Sequence, residues 1–225
     1  MSSHDTAPGP ATRVVLRPIA TPLPLGFLAL ALATAVFSAV QLGWIPPTEG
    51  RVAALTALAA TVLLQAIASV VGFLARDPVA ATGMGVLAGT WGTLGLTTLT
   101  SPPGTASKGL GVVLITAGLA MFVPAVAGAA KLVPASVMGL AGVRFLVTGA
   151  YELTGSATWK TAAGWVGLAL TVLAFYAALA LELEGAKART VLPAGRRGPA
   201  ESAVRGQGSL DVADLAREPG IRPQL

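Results

Sequence analysis

Lys108-GLGVVLITAGLAMFVPAVAGAA-Lys131 is the stretch whose reading decides the fold. Between the two lysines lie 22 residues without a charge, and a helix needs ~20 apolar residues to cross a ~30 Å hydrocarbon layer. Working outward, the same interval recurs. Uncharged runs cover residues 18–48, 52–75, 78–107 and 161–181, and residues 132–151 are interrupted once, by Arg144. An unpaired backbone amide is too costly in hydrocarbon to tolerate, and closed barrels show short alternating strands instead of long apolar runs. The fold class is therefore an all-α membrane protein with six transmembrane helices, predicted at Leu23–Trp44, Val52–Leu74, Val79–Leu99, Leu110–Ala130, Val133–Tyr151 and Ala162–Leu183.

Composition agrees. Of 225 residues, 54% are hydrophobic and only 25 are charged, and the mean hydropathy is +0.74, well above the balance of a soluble domain. Fourteen of the charges lie in residues 1–17 and 185–225, so eleven remain for the 167 residues between them. Turn chemistry falls between the runs, at Ile45-Pro46-Pro47, Arg76-Asp77-Pro78 and Ser101-Pro102-Pro103-Gly104. The chain divides into an N-terminal tail (1–20), a six-helix domain (21–184) and a basic, largely irregular C-terminal tail (185–225), within which Ser209–Arg217 could form a short helix.

Orientation follows from the cations. One side carries Arg13, Arg17, Arg76, Lys131, Lys187, Arg189, Arg196 and Arg197; the other has Arg51, Lys108 and Lys160. This bias predicts both termini to be cytoplasmic in a multi-pass plasma-membrane protein, with the first span an uncleaved helix. The tail cations either satisfy that rule alone or also bind anionic lipid head groups. Nucleic acid is not expected as a partner; the lipid bilayer is.

Catalytic chemistry finds no residues. His4, the only histidine, precedes the first span, cysteine is absent, and no paired carboxylates lie within the spans. No catalytic residue, metal site or cofactor is expected, and the glycines lie within apolar helices rather than in a phosphate-binding loop. They read as helix-packing surfaces, with Gly85-x-x-x-Gly89, flanked by Gly83 and Gly92, as the best ridge and Gly139-x-x-Gly142 and Gly164-x-x-Gly167 as lesser ones.

Polar residues inside the spans are more selective: Gln65, Thr90, Thr93, Thr97, Thr98, Thr148 and, above all, Arg144. A guanidinium keeps its charge, and placing it at mid-membrane costs about 2.5–3.5 kcal/mol even on the lenient insertion scale. Glu152 is about 12 Å farther along the same helix and Glu182 sits at a helix end, so no mid-membrane carboxylate is available. Arg144 then faces either backbone carbonyls, hydroxyls or Gln65 as a structural tether, or an anion in a pathway.

Two segments carry a family resemblance. Thr21-Pro22-Leu23-Pro24-Leu25-Gly26-Phe27 resembles the Asn-Pro-x-Pro-Leu-Gly-Leu signature of the acetate uptake transporter family, with Thr21 in the place of the asparagine. Ala163-Gly164-Trp165-Val166-Gly167-Leu168, Tyr176 and Arg189-Thr190-Val191-Leu192-Pro193-x-Gly195 resemble that family's sixth helix and exit segment. The resemblance implies a transporter of small carboxylates, acetate and also succinate, coupled to protons and assembled as a hexamer. It implies a pore in each protomer narrowed by large hydrophobic side chains, which fall here on Leu30, Trp91 and Val143; Gln65, Trp165 and Tyr176 are the pathway or packing positions.

Pro22 and Pro24 also have a meaning of their own. They start the first helix at a rigid elbow, either merely as helix openers or so that free amides over Thr21–Gly26 receive a carboxylate. Since a bare carboxylate pays far more than its neutral acid to enter a dry constriction, protonation of the substrate itself would supply the coupling. The competing readings are a facilitative channel for small neutral solutes such as urea, short amides or undissociated acids, and a non-transporting scaffold or sensor.

Overall fold

The apolar runs form six helices in the computed structural model, which describes residues 19–187 and 189–197. They are α1 (Leu23–Gln41), α2 (Pro47–Leu74), α3 (Pro78–Thr100), α4 (Lys108–Ala127), α5 (Leu132–Thr154) and α6 (Ala157–Lys187), each long and apolar enough to cross a membrane. Among the described residues the one β-type pairing is an isolated bridge between Lys131 and Arg196.

Local chemistry sets the helix ends. Arg76 adopts a left-handed φ of 55° that lets the chain reverse within three residues, and the Asp77 carboxylate caps α3 by accepting the Ala80 N–H at 3.0 Å. Ser107 caps α4 through Leu110 N–H at 3.3 Å. Gly155, at φ 66°, closes α5 in the left-handed conformation that only glycine adopts freely. The boundaries differ from the charge gaps where charge and helix are compatible. α6 begins five residues before Ala162 and runs on to Lys187, because Lys160, Glu182 and Glu184 lie near its ends, where long side chains reach water. α1 stops at Gln41 rather than Trp44, as the chain turns through Gly43 at φ 74°.

α4 with α5 and α2 with α3 form the most extensive helix pairs, followed by α1 with α6. A Cβ placed on Gly118 would lie 2.8 Å from the Gly142 carbonyl oxygen, and one on Gly111 3.1 Å from that of Gly149. Where lipid tails are as apolar as leucine, such backbone approach is what joins helices. The Gly85–Gly89 ridge is only half used within the protomer. A Cβ on Gly85 would lie 3.0 Å from Ser69 Oγ, whereas one on Gly89 would meet nothing within 4 Å. The wide π-helical turn of α2 at Ala57–Val62 brings Thr61 Oγ1 2.8 Å from the Ala29 carbonyl of α1, which accepts its hydrogen bond.

The first part of the C-terminal tail is docked. Leu132 and Val133 donate their N–H groups to Gly195 and Ala194 carbonyls at 3.0 and 3.2 Å, and Arg197 N–H reaches Ala130 at 2.9 Å. Arg196 pairs with Glu184, and Tyr176 Oη donates to the Pro193 carbonyl at 2.9 Å. Residues 185–187 continue α6, and residues 189–197 are irregular but held against the α4–α5 turn. His4, Arg13, Arg17 and the Ser209–Arg217 stretch lie outside the described residues.

Candidate functional site

At the end of the bundle where α1, α3 and α5 finish and α2, α4 and α6 begin lies a cavity of about 310 Å³. Its wall carries Arg51, Lys160 and Glu152, two cations against one carboxylate, so the field inside favours anions. Glu152 is partly engaged, accepting the Ser107 N–H on Oε2 at 2.7 Å, which holds the start of α4 to the end of α5. The proline-rich α3–α4 loop, with Pro102 and Pro103, and Pro47 on the α1–α2 turn complete the rim. Proline-fixed loops keep this mouth from collapsing.

Phe37 and Gln41 line both this cavity and a second void of about 10 Å³ beneath it, whose other walls are Trp91, Leu94, Arg144, Phe145 and Thr148. That volume is about one water. Arg144 is 2% exposed. Its Nη1 donates to Thr148 Oγ1 and its Nη2 to Gln41 Oε1, both at 2.6 Å. Thr148 donates its own hydroxyl hydrogen bond to the Arg144 carbonyl at 2.7 Å, so its oxygen stays oriented as an acceptor. Both partners are neutral, and no carboxylate pairs with the guanidinium among the described residues. Its Nε is buried with no partner, as are Ser38 Oγ and the Trp91 indole Nε1.

Two structural features seat this charge. On α6, a Cβ at Gly167 would fall 2.1 Å from Ser38 Oγ and 2.7 Å from Arg144 Nε, so glycine provides the notch into which α1 and α5 press their polar side chains. On the far side, Trp91 lies between Phe37, at a ring separation of 5.6 Å, and Phe145, at 5.8 Å in an edge-on arrangement. These three rings, drawn from α1, α3 and α5, pack together beside the guanidinium.

The expected site residues therefore separate. Arg144 and Trp91 come together at one void. Leu30 is wholly buried, two turns before Phe37 on α1; Phe37 lines the small void with Trp91, and Leu30 is not among the residues that line it. Val143 is 37% exposed on the outer face of α5, and Phe145, two residues on, takes the inward position. Gln65 does not reach Arg144; it is buried near the opposite end, with Nε2 3.4 Å from the Gly26 carbonyl. Around the proline elbow Pro22, Leu23, Pro24 and Gly26 are buried, while Thr21 and Leu25 are exposed. No side chain caps this end of α1, and Gly26 N–H is already spent on the Pro22 carbonyl at 3.2 Å. Trp165 is 59% exposed and packs edge-on against Trp44 on the outer surface, and Tyr176 holds the tail.

Sequence reasoning missed Gln41, Ser38, Phe37 and Phe145. The available signal was helical spacing: Thr34, Ser38 and Gln41 recur at intervals of four and three along an otherwise apolar α1, which puts them on one face. Thr34 Oγ1 indeed lies 2.9 Å from Thr171 Oγ1 of α6, continuing the same polar seam. No group of three or more His, Cys, Asp or Glu that could hold a metal occurs among the described residues.

Against known proteins, residues 3–194 match the profile of the GPR1/FUN34/yaaH family. The solved structure of the bacterial acetate channel SatP is similar in fold, with a TM-score of 0.69 over 78% of this chain and 99% of that one, at 24% identity. Among curated proteins no sequence match was found.

Proposed function

The chain belongs to the GPR1/FUN34/yaaH family, the acetate uptake transporters, and from that premise we propose that it passes small carboxylates of the acetate type across the plasma membrane. The observation that carries this reading is Arg144: a buried, uncompensated cation held by neutral partners directly beneath an open, net-positive cavity. A structural tether would be expected to bring its own counter-charge, because a lone buried guanidinium costs several kcal/mol. An incoming carboxylate supplies that charge only when the site is loaded.

Arg51 and Lys160 gather the anion in the vestibule and Arg144 receives it. Past Arg144 the Phe37, Trp91 and Phe145 rings offer no counter-charge, so the substrate crosses them as the neutral acid, which makes a proton its companion. The excess of cations at the end carrying Arg76, Lys131 and the docked tail supports cytoplasmic termini, with the vestibule on the outer side. The apolar outer faces of α2 and α6, including Ile67, Val70, Phe73, Val172 and Phe175, suit both lipid and contact with further copies in a hexamer.

The test is uptake of radiolabelled acetate into proteoliposomes. Arg144→Gln is expected to lower uptake by at least about tenfold, the loss of one charge-assisted hydrogen bond, and an inward proton gradient to accelerate the wild type beyond the rise in free acid. Equal uptake by variant and wild type would remove the anion role. Urea flux exceeding acetate flux would turn the reading to a channel for neutral solutes.

A further inference from the structure

α5 does not close its own start. α3 and α4 carry capping side chains, Asp77 and Ser107, whereas Lys131 stands at the N-cap of α5 and its side chain caps nothing. The helical ladder of α5 opens with Ala135 N–H donating to the Lys131 carbonyl at 3.1 Å. Of the amides ahead of it, Pro134 has no N–H, and Leu132 and Val133 donate theirs to the Gly195 and Ala194 carbonyls at 3.0 and 3.2 Å. The chain beyond α6 is therefore the cap of α5. Its fit is specific. Gly195 has a φ of 64°, where glycine is at ease and other residues are strained, and a Cβ on it would lie 2.7 Å from the Leu132 Cβ. Ala194 is buried between the elements. Two residues of α6 hold the segment down, Tyr176 through the Pro193 carbonyl and Glu184 through Arg196. Residues 193–197 thus clip the end of α6 to the start of α5.

These are the two helices whose register seats Arg144. The guanidinium belongs to α5, about 18 Å along the helix axis from Leu132, and its Nε lies against Gly167 of α6. α5 runs as one helix from Leu132 to Thr154, so a shift at its start is carried along it. A slip of one residue moves the guanidinium by ~1.5 Å. Thr148 would travel with it, being on the same helix, but Gln41 is on α1, and its 2.6 Å bond to Nη2 would break. We propose that residues 193–197 are a positioning element for transport: by capping α5 and tying it to α6, they fix the depth of Arg144 against Gln41 and the Gly167 notch, and with it the affinity for the carboxylate. This rests on the anion reading of Arg144. It gives the Pro193-x-Gly195 segment, which lies far from the vestibule, a part in substrate binding that no contact with substrate would supply.

The test is uptake of radiolabelled acetate by the full-length chain in proteoliposomes, read as the half-saturating concentration, which does not depend on how much of the protein has folded. Glu184→Arg sets a second cation against Arg196 and releases the clip; it is expected to raise that concentration about fivefold. Glu184→Arg with Arg196→Glu, which remakes the pair with its charges exchanged, is expected to return it to the wild-type value. In a Gln41→Leu background, where the bond to α1 is already gone, Glu184→Arg is expected to add little, because a positioning element acts only through the contact it maintains. A merely structural role would raise the concentration by the same factor in both backgrounds. If Glu184→Arg cannot be purified, Gly195→Val, which drives a side chain into Leu132, takes its place. Equal factors with and without Gln41 overturn the positioning role, as does a raised value that persists after the charge exchange. Wild-type half-saturation in both Glu184→Arg and Gly195→Val, while Arg144→Gln loses uptake, overturns the positioning role and leaves the Arg144 reading standing. Wild-type uptake by Arg144→Gln overturns that reading and the inference with it.

Discussion

The two ends of the bundle are built from the same few residue types and behave oppositely. At the vestibule end, prolines and glycines sit in the turns, Pro47, Pro102, Pro103 and Gly104 among them, and the helix ends stand apart around about 310 Å³. At the other end the glycines sit inside the helices, and the helices touch. A Cβ on Gly72 of α2 would lie 2.6 Å from the Ala81 backbone nitrogen of α3, one on Gly26 of α1 2.2 Å from Met84 Sδ, and one on Gly83 of α3 2.8 Å from the Met138 terminal methyl of α5. Glycine therefore opens the structure where it bends the chain and shuts it where it removes a side chain. Arg144 lies between the two ends, with Gly167 of α6 against its guanidinium.

The comparison can be broken most severely at that level. Gly167→Val drives a branched side chain into Ser38 and Arg144, and is expected to cut acetate uptake by at least about tenfold while leaving urea leakage unchanged, since strain of ~1.4 kcal/mol at the guanidinium is worth that factor. Matched expression and flux in proteoliposomes check it. Unaltered acetate uptake would mean that the α6 notch does not hold Arg144 in its working position.

On the shut side, Gly72→Val meets backbone rather than a flexible side chain, so the helices must separate. The expected result is a loss of about 1–3 kcal/mol of stability, read as a lower melting temperature in detergent, together with a raised proton leak. Where a glycine faces outward the same kind of substitution should do little: Gly89→Ala, whose added Cβ meets nothing within 4 Å in the protomer, is expected to keep the melting temperature of the protomer. A fall in oligomer size with that variant would place Gly89 at a contact between copies.

Smaller still is the effect of the vestibule cations. Arg51→Gln with Lys160→Gln is expected to raise the half-saturating acetate concentration about two- to fivefold at low ionic strength, and by less at high salt, because exposed charges are screened. No dependence on salt in the wild type would argue that the vestibule does not collect anions through its field.

Much of this was legible before any tertiary structure. Six spans follow from the charge gaps, since hydrocarbon leaves a backbone no alternative to the helix, and Arg144 stands out because it is the one charge that does not punctuate them. Helix ends were less legible: Lys160, Glu182 and Glu184 lie inside α6, because a long charged side chain near a helix end can reach water without ending the helix. The partners of Arg144 were not legible from its own helix beyond Thr148. Gln41 is 103 residues away, and its choice over Gln65 depends on which end of α1 faces α5 at the depth of the guanidinium.

What the sequence determined alone was the class of solvent, the number of crossings and the presence of one charge in need of an answer, because these depend on length and composition counted along the chain. Only the tertiary structure decided what answers that charge. It set two neutral side chains and an orphaned indole around the guanidinium, turned Phe145 inward and Val143 outward, and opened one end while closing the other. Those outcomes depend on the rotation and depth of each helix against its neighbours. Rotation and depth are fixed by close contacts such as those at Gly118, Gly142 and Gly167, between residues that the chain itself keeps far apart.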